Sequence, residues 1–240
     1  DSDSALYALR QRHRSLLRMP VQNLKPAALE QLCSNAHVIE ADGLGPKVLR
    51  LEDGSFLKLF RPRRWYTSGS FNPYSERFAS NSEQLRTLGI PTPHILGLYR
   101  LSDASSAVRY TPLPGLTLRQ ALQSLDSSLR ESLIERFGRF MAQLHERGVY
   151  FRSLHLGNVL LMDDGEFALI DIADLRIFPS ALRNALRQRN LRHMQRYPQD
   201  RNWLFEAHFE QLAKGYASIA SPKATAKIRE QVQGLASPAA

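Results

Sequence analysis

"YFRSLHLGNVLLMDDGEFALIDIAD", residues Tyr150 to Asp174, decides how this chain is read. Arg152, Ser153, Leu154 and His155 precede Gly157-Asn158. Two apolar runs, 158–162 and 167–170, then flank Asp163-Asp164-Gly165, and Asp171 follows. Short apolar runs on either side of a Gly-containing turn read as a β-hairpin. Asn158 opens the first run and Asp171 closes the second, so the hairpin brings an amide oxygen and a carboxylate near each other. Hard oxygen donors of this kind suit Mg2+. Asp171 also ends an apolar strand, where an uncompensated carboxylate is costly, so a metal, a lysine or backbone N–H groups must answer it.

Downstream and immediately upstream the pattern is helical. Ser128 to Glu131 has the spacing of a capping box. Leu129, Leu133, Phe137, Phe140, Met141 and Leu144 then mark one apolar face, and Gly148 closes the helix. Helical character returns after Pro179 and runs to about Ile219. The first half reads differently. "HVIEADG", "KVLRLEDG" and "SFLKLFRPR" are strands, with Asp53-Gly54 as a hairpin turn. Residues 74–88 form a helix with Phe78, Leu85 and Leu88 on one side, ended by Gly89, Pro91 and Pro93. "HILGLYRLSD" and "SSAVRYTPL" add two strands. The expected fold is α+β and two-lobed: a small antiparallel sheet with one helix, then a mainly helical lobe. Its boundaries are an extension at 1–22 with a short Arg-rich helix, a sheet lobe at 23–112, a helical lobe at 113–220, and a tail or final helix at 221–240.

Composition narrows the setting. No stretch approaches the ~18–20 apolar residues that a membrane span needs. Residues 1–17 are polar and charged and lack a signal-peptide layout. The single cysteine, Cys33, excludes an internal disulfide and fits a reducing cytosol, with Cys33 itself a small apolar filler on a helix. The net charge of +9 favours anionic partners. Most of it is Arg, which suits bidentate phosphate contacts. Arg61, Arg63 and Arg64 form one cluster; Arg183, Arg187, Arg189, Arg192 and Arg196 form another on a helix with Leu182, Leu186, Leu191 and Met194 interleaved. The second cluster reads either as a solvated face or as a site for a phosphorylated lipid-sugar at an anionic membrane surface. No nucleic-acid motif or aromatic stacking pattern is present, so nucleic acid is not an expected partner.

Arg152-Ser-Leu-His-Leu-Gly-Asn158, with the hairpin and Asp171 behind it, resembles the catalytic segment of the protein-kinase-like superfamily. "LHERGVYFR" before the loop and "LGIPTP" after the first-half helix make it similar to the bacterial lipopolysaccharide core kinases that phosphorylate Kdo or heptose, with the toluene-tolerance-type proteins grouped among them. The His155-x-Gly157-Asn158 ending is also similar to aminoglycoside and choline kinase loops. The resemblance covers roughly residues 36–216. It implies an ATP- and Mg2+-dependent phosphotransferase acting on a lipid-linked or phosphorylated sugar, in the cytoplasm or at the inner face of the inner membrane. It implies that Lys58 contacts phosphates and that Gly43 and Gly45 lie over them. Residues 109–113, with Tyr110 and Leu113, would form the adenine hinge. Asn158 and Asp171 would be the metal ligands, and Ser153, at the usual Asp position, Arg152 and His155 the catalytic residues, with His155 supporting the loop and offering an alternative base that the motif aims inward.

Two departures stand out. The family pairs its lysine with a helix Glu. Glu76 is the candidate here, yet Asn81 shares the face of Phe78 and Leu85, where the inward Glu is expected. Either the register differs or the ion pair is missing. The second departure is Ser153, which stands where the family carries the Asp that accepts the acceptor's proton. Losing a general base typically costs about 10²–10⁴-fold. The chain therefore reads as a kinase or as a pseudokinase, a nucleotide-binding or binding-only scaffold or regulator in envelope biogenesis.

Overall fold

The structure is a computed structural model and describes residues 19–61, 74–102 and 104–236. The expected helix within 4–18 and the cluster members Arg63 and Arg64 lie outside the described residues. The chain divides into two compact units, the first running to Ser80 and including His94–Pro112, the second comprising Asn81–Pro93 and the chain from Leu113 onward.

The first unit is a six-stranded sheet in the order β1-β5-β6-β4-β3-β2. Its strands are β1 (Val21–Leu24), β2 (His37–Asp42), β3 (Gly45–Arg50), β4 (Phe56–Phe60), β5 (His94–Leu101) and β6 (Ser106–Thr111). Asp53-Gly54 turns β3 into β4 as its residue types require. Gly54 takes a positive φ of 83°, and the Asp53 carboxylate accepts the Ser55 N–H at 3.0 Å. Leu49, Leu51, Leu57, Tyr99 and Ala107 form a core under the sheet, covered by Leu29, Leu32 and Cys33.

Two features depart from the expected all-antiparallel sheet with one helix. β1 pairs in parallel with β5, Val21 opposite Leu98; a four-residue edge strand with two polar residues at its centre carries almost no periodic signal. A second helix, α1 (Pro26–Leu32), begins with proline at its first turn, where the missing N–H costs nothing. Cys33 caps its C-terminus, and partial burial raises its thiol pKa, in keeping with a filler role. Helix α2 (Tyr74–Thr87) follows, split by the boundary between the units.

The second unit holds α3 (Leu118–Ser124), α4 (Ser127–Glu146), α5 (Asn184–Met194), the single turn α6 (Pro198–Arg201), α7 (Phe209–Ala217) and α8 (Pro222–Ala236). A π-helical stretch, Asn202–Ala207, joins α6 to α7. The expected capping box at Ser128 is not how α4 starts. Asp126 is the cap, accepting the Leu129 N–H at 2.9 Å, because a carboxylate also answers the positive helix end. The capping box of this unit belongs to α3, made by Thr117 and Gln120. Leu129, expected on the apolar face, is 55% exposed, whereas Leu133, Phe137, Phe140, Met141 and Leu144 are buried. From Pro222 to Ala236 the chain is the helix α8, seated through Ala224, Ile228 and Val232. No described helix is long and apolar enough to cross a membrane.

Helices α4 and α7 cross at two glycines. A Cβ on Gly138 would lie 2.2 Å from the Leu212 carbonyl, and one on Gly215 would lie 1.8 Å from the Glu135 carbonyl. Both obstacles are backbone, so the helices themselves must separate. Gly to Ala in a helix normally gains about 1 kcal/mol. Here Gly215→Ala is expected to destabilise by about 1–3 kcal/mol through overpacking, read as a lower urea midpoint.

Candidate active site

The hairpin forms as its sequence directs. β9 (Val159–Leu161) pairs antiparallel with β10 (Phe167–Leu169), Val159 opposite Leu169, and on its other edge with the two-residue strand β7 (Leu116–Thr117). The Ile170 N–H donates to the Asn158 carbonyl at 3.1 Å, which extends the ladder to the edge of both candidate ligands. Asn158 ends a short 3-10 turn, Leu156–Asn158, and its Nδ2 donates to the Ser153 carbonyl at 3.0 Å. That bond occupies the nitrogen and fixes the amide oxygen as the end available to a cation. Asp171 has φ 55° and ψ 43°, left-handed for a residue that is not glycine. The conformation costs about 1–2 kcal/mol, and such strain is characteristically kept where a side chain must be aimed.

Directly after Asp171 the chain makes another 3-10 turn, Ile172–Asp174. Asn81 holds this turn. Its Nδ2 donates to the carbonyls of Ile172 at 2.7 Å and Leu175 at 3.0 Å. The α2 face that carries Phe78 and Leu85 is buried as expected, and Asn81 on that face grips backbone. Glu76 sits half-buried in the first turn of α2.

A second short ladder joins the loop to the same turn. β8 (Val149–Tyr150) pairs with β11 (Arg176–Ile177), Tyr150 opposite Arg176. It brings Ser153 to Asp174, and the Ser153 hydroxyl donates to the Asp174 carboxylate at 2.8 Å. Asp174 went unnoticed in the sequence, although a second carboxylate three residues after Asp171 was visible there. Arg152 is exposed. The His155 Nδ1 accepts the Gly157 N–H at 3.0 Å, so the neutral ring carries its proton on Nε2. Burial, then the charges of Arg119 and His193, lower its pKa to about 4, with Asp171 acting in the opposite direction. The ring lies 4.4 Å from that of Tyr197.

The loop is anchored from below by residues that no motif announced. Asp200, fully buried, accepts the Leu156 N–H at 2.8 Å and pairs with Arg119, also at 2.8 Å. Burial pushes the Asp200 pKa up, and the Leu156 N–H and Arg119 oppose it. Asn190 donates to the Phe151 carbonyl at 2.6 Å. Behind Asn190 runs a buried chain with a fixed direction. Arg187 donates to the Tyr216 oxygen at 2.8 Å; Tyr216 lies 2.8 Å from His145 Nδ1; His145 Nε2 lies 3.1 Å from the Asn190 oxygen. Because the Asn190 oxygen can only accept, His145 Nε2 must donate, and Nδ1 must accept from Tyr216. Arg187 also pairs with Glu146 and donates to the Leu182 carbonyl, each at 2.8 Å. At 4% exposure it belongs to the interior, which removes it from the expected basic face. Arg183, Arg189, Arg192 and Arg196 are exposed.

In the first unit, Lys58 is buried on β4 between Val48 and Val108, its ammonium 5.9 Å from the Phe60 ring. The Gly43–Gly45 segment is the β2–β3 turn. Gly45 is required by its φ of 109°, while a side chain at Gly43 would meet open space. Arg61 closes this turn by donating to Asp42 at 3.0 Å and to the Pro46 carbonyl at 2.7 Å. Tyr110 is buried with its ring 5.4 Å from Phe78. Leu113, half-buried, opens the second unit.

The donor set fits Mg2+. An amide oxygen held by its own nitrogen and a strained carboxylate are hard ligands. No cluster of three or more His, Cys, Asp or Glu that could hold a metal exists among the described residues. A cation completed by water and phosphate oxygens needs only one or two protein ligands.

Fold and loop together define a two-lobed, kinase-like α+β protein. Residues 115–216 match the model of the Lipopolysaccharide kinase (Kdo/WaaP) family. No curated protein matches the chain.

Proposed function

We propose that the protein is an ATP- and Mg2+-dependent phosphotransferase whose acceptor is a sugar hydroxyl of the lipopolysaccharide core. The observation that carries this reading is the pair Asn158 and Asp171: one has its amide nitrogen engaged by the Ser153 carbonyl, which leaves its oxygen for a cation, and the other is held in a left-handed conformation. Mg2+ bound there would neutralise the phosphate charge that phosphoryl transfer must stabilise. Lys58 would contact the phosphates, and the 109–113 segment would meet adenine through its backbone. Arg183, Arg189, Arg192 and Arg196 would hold a phosphorylated, lipid-linked acceptor at an anionic membrane surface.

The test is calorimetric titration with ATP in Mg2+ and in EDTA, followed by transfer from radiolabelled ATP to deacylated core oligosaccharide. Binding that needs Mg2+ and is lost in Asn158→Ala is expected, together with label in the sugar. An absence of ATP binding would remove this reading. One observation favours a pseudokinase instead, the hydroxyl at position 153 in place of a carboxylate. That reading predicts binding of Mg-ATP with no label transferred.

A further inference from the structure

We propose that Ser153 and Asp174 act together as a proton relay that replaces the carboxylate missing from position 153; this rests on the phosphotransferase reading above. The hydroxyl occupies the position where a base is needed, and its own proton is committed. At 2.8 Å from a carboxylate that accepts, Ser153 must be the donor. Its oxygen lone pairs are then free to take a proton from an acceptor hydroxyl, while the negative charge sits one bond behind.

Both members are held in place independently of each other. Asn158 grips the Ser153 carbonyl. Asn81 grips the turn that ends in Asp174. The β8–β11 ladder closes the distance between the two segments. A contact braced from three directions is a built feature of the loop. The competing base, His155, has its basic nitrogen occupied by the Gly157 N–H.

The step balances without any further reactant. The acceptor oxygen forms a bond to the γ-phosphorus of ATP. The bond from that phosphorus to the β,γ-bridging oxygen breaks, and its electron pair leaves with ADP. The acceptor proton passes to Ser153 Oγ as the Ser153 proton passes to Asp174, which afterwards returns it to water. A loose transition state asks little of its base until the proton is nearly lost, so a hydroxyl backed by a carboxylate is sufficient.

The experiment compares label transfer from Mg-ATP to deacylated core oligosaccharide in the parent, Ser153→Ala, Ser153→Thr, Asp174→Asn, and the doubles Ser153→Ala/Asp174→Asn and Ser153→Asp/Asp174→Asn. Mg-ATP affinity is measured alongside by calorimetry. Ser153→Ala and Asp174→Asn are each expected to lower kcat by about 10²–10⁴-fold with Mg-ATP affinity unchanged. The first double should be no slower than either single, because parts of one device are not additive. Ser153→Thr keeps the hydroxyl and should retain most of the rate, and Ser153→Asp should recover turnover in the absence of Asp174. Parental turnover in Asp174→Asn, or losses that multiply in the double, would overturn the relay. So would a parent that binds Mg-ATP and transfers nothing. A parent that fails to bind Mg-ATP overturns instead the phosphotransferase reading beneath it.

Discussion

Asp171→Gly is expected to abolish Mg2+-dependent ATP binding at little net backbone cost to stability. The reason lies in the backbone. Asp171 sits at φ 55°, ψ 43°, a conformation that costs an ordinary side chain about 1–2 kcal/mol and glycine nothing. Removing the Cβ releases that strain. The greater freedom of glycine in the unfolded chain takes back about 0.4–1 kcal/mol, so the two effects nearly cancel. The carboxylate is lost altogether. If it supplies the negative charge that holds Mg2+ against the phosphates, turnover should fall on the order of 10²–10³-fold, as when a group aimed at transition-state charge is removed. Asp171→Asn separates charge from conformation, since Asn tolerates the left-handed region. It should keep stability and lose most of the binding. Urea denaturation gives the first quantity and calorimetry in Mg2+ and EDTA the second. Asp171→Gly that bound Mg-ATP like its parent would exclude Asp171 as a ligand. A marked loss of stability would mean that the conformation serves the fold alone.

The parts of this molecule legible in its sequence were those written in local code. The Asp53-Gly54 and Asp163-Asp164-Gly165 turns, the run of strands before α2, and the buried face from Leu133 to Leu144 depend on neighbours within a few residues. So does the closeness of Asn158 and Asp171, because one hairpin decides it. The residues that fix the loop are of another kind. Asp200 reaches Leu156 from 44 positions away in sequence, and Asn81 reaches Ile172 from 91. Nothing in "PQD" or "SNS" marks a buried tether, because the signal is burial itself, which exists only after folding. Arg187 shows the converse error. Five arginines on one helix read as a single basic face, but a period of 3.6 turns one of them inward, where Glu146 and Tyr216 receive it. Asp174 lies between these cases. It was visible as a carboxylate, but its partner came from a two-residue ladder too short to announce itself.

The buried chain behind the loop leads to the second large effect, a loss of stability in acid that His145→Gln should relieve. Burial first, and then the charge of Arg187, lower the His145 pKa from 6.5 to about 3. An unfolded chain would take up a proton near 6.5, and the folded one refuses it until about 3. Between those values the unfolded state binds more protons, so stability rises with pH and is lost as pH falls through the window. At 1.36 kcal/mol per unit, the full shift is worth on the order of 5 kcal/mol. His155, held down to about 4, acts in the same direction. Asp200 acts in the opposite one, since its raised pKa lets the folded state hold a proton more readily. The structural cost at His145 is specific. A proton on Nδ1 reverses the bond from Tyr216, whose oxygen already receives Arg187, and places two cations in one buried network. Strain there passes through Asn190 to the Phe151 carbonyl, two residues before Ser153. Gln at position 145 can offer an N–H to Asn190 and an oxygen to Tyr216 without ever being charged. Urea midpoints from pH 7 down to pH 4 should therefore fall more steeply in the parent than in His145→Gln, even if the variant starts lower at pH 7. Parallel slopes would mean that His145 is not the group that titrates, and the acid sensitivity would then fall to His155 and the loop.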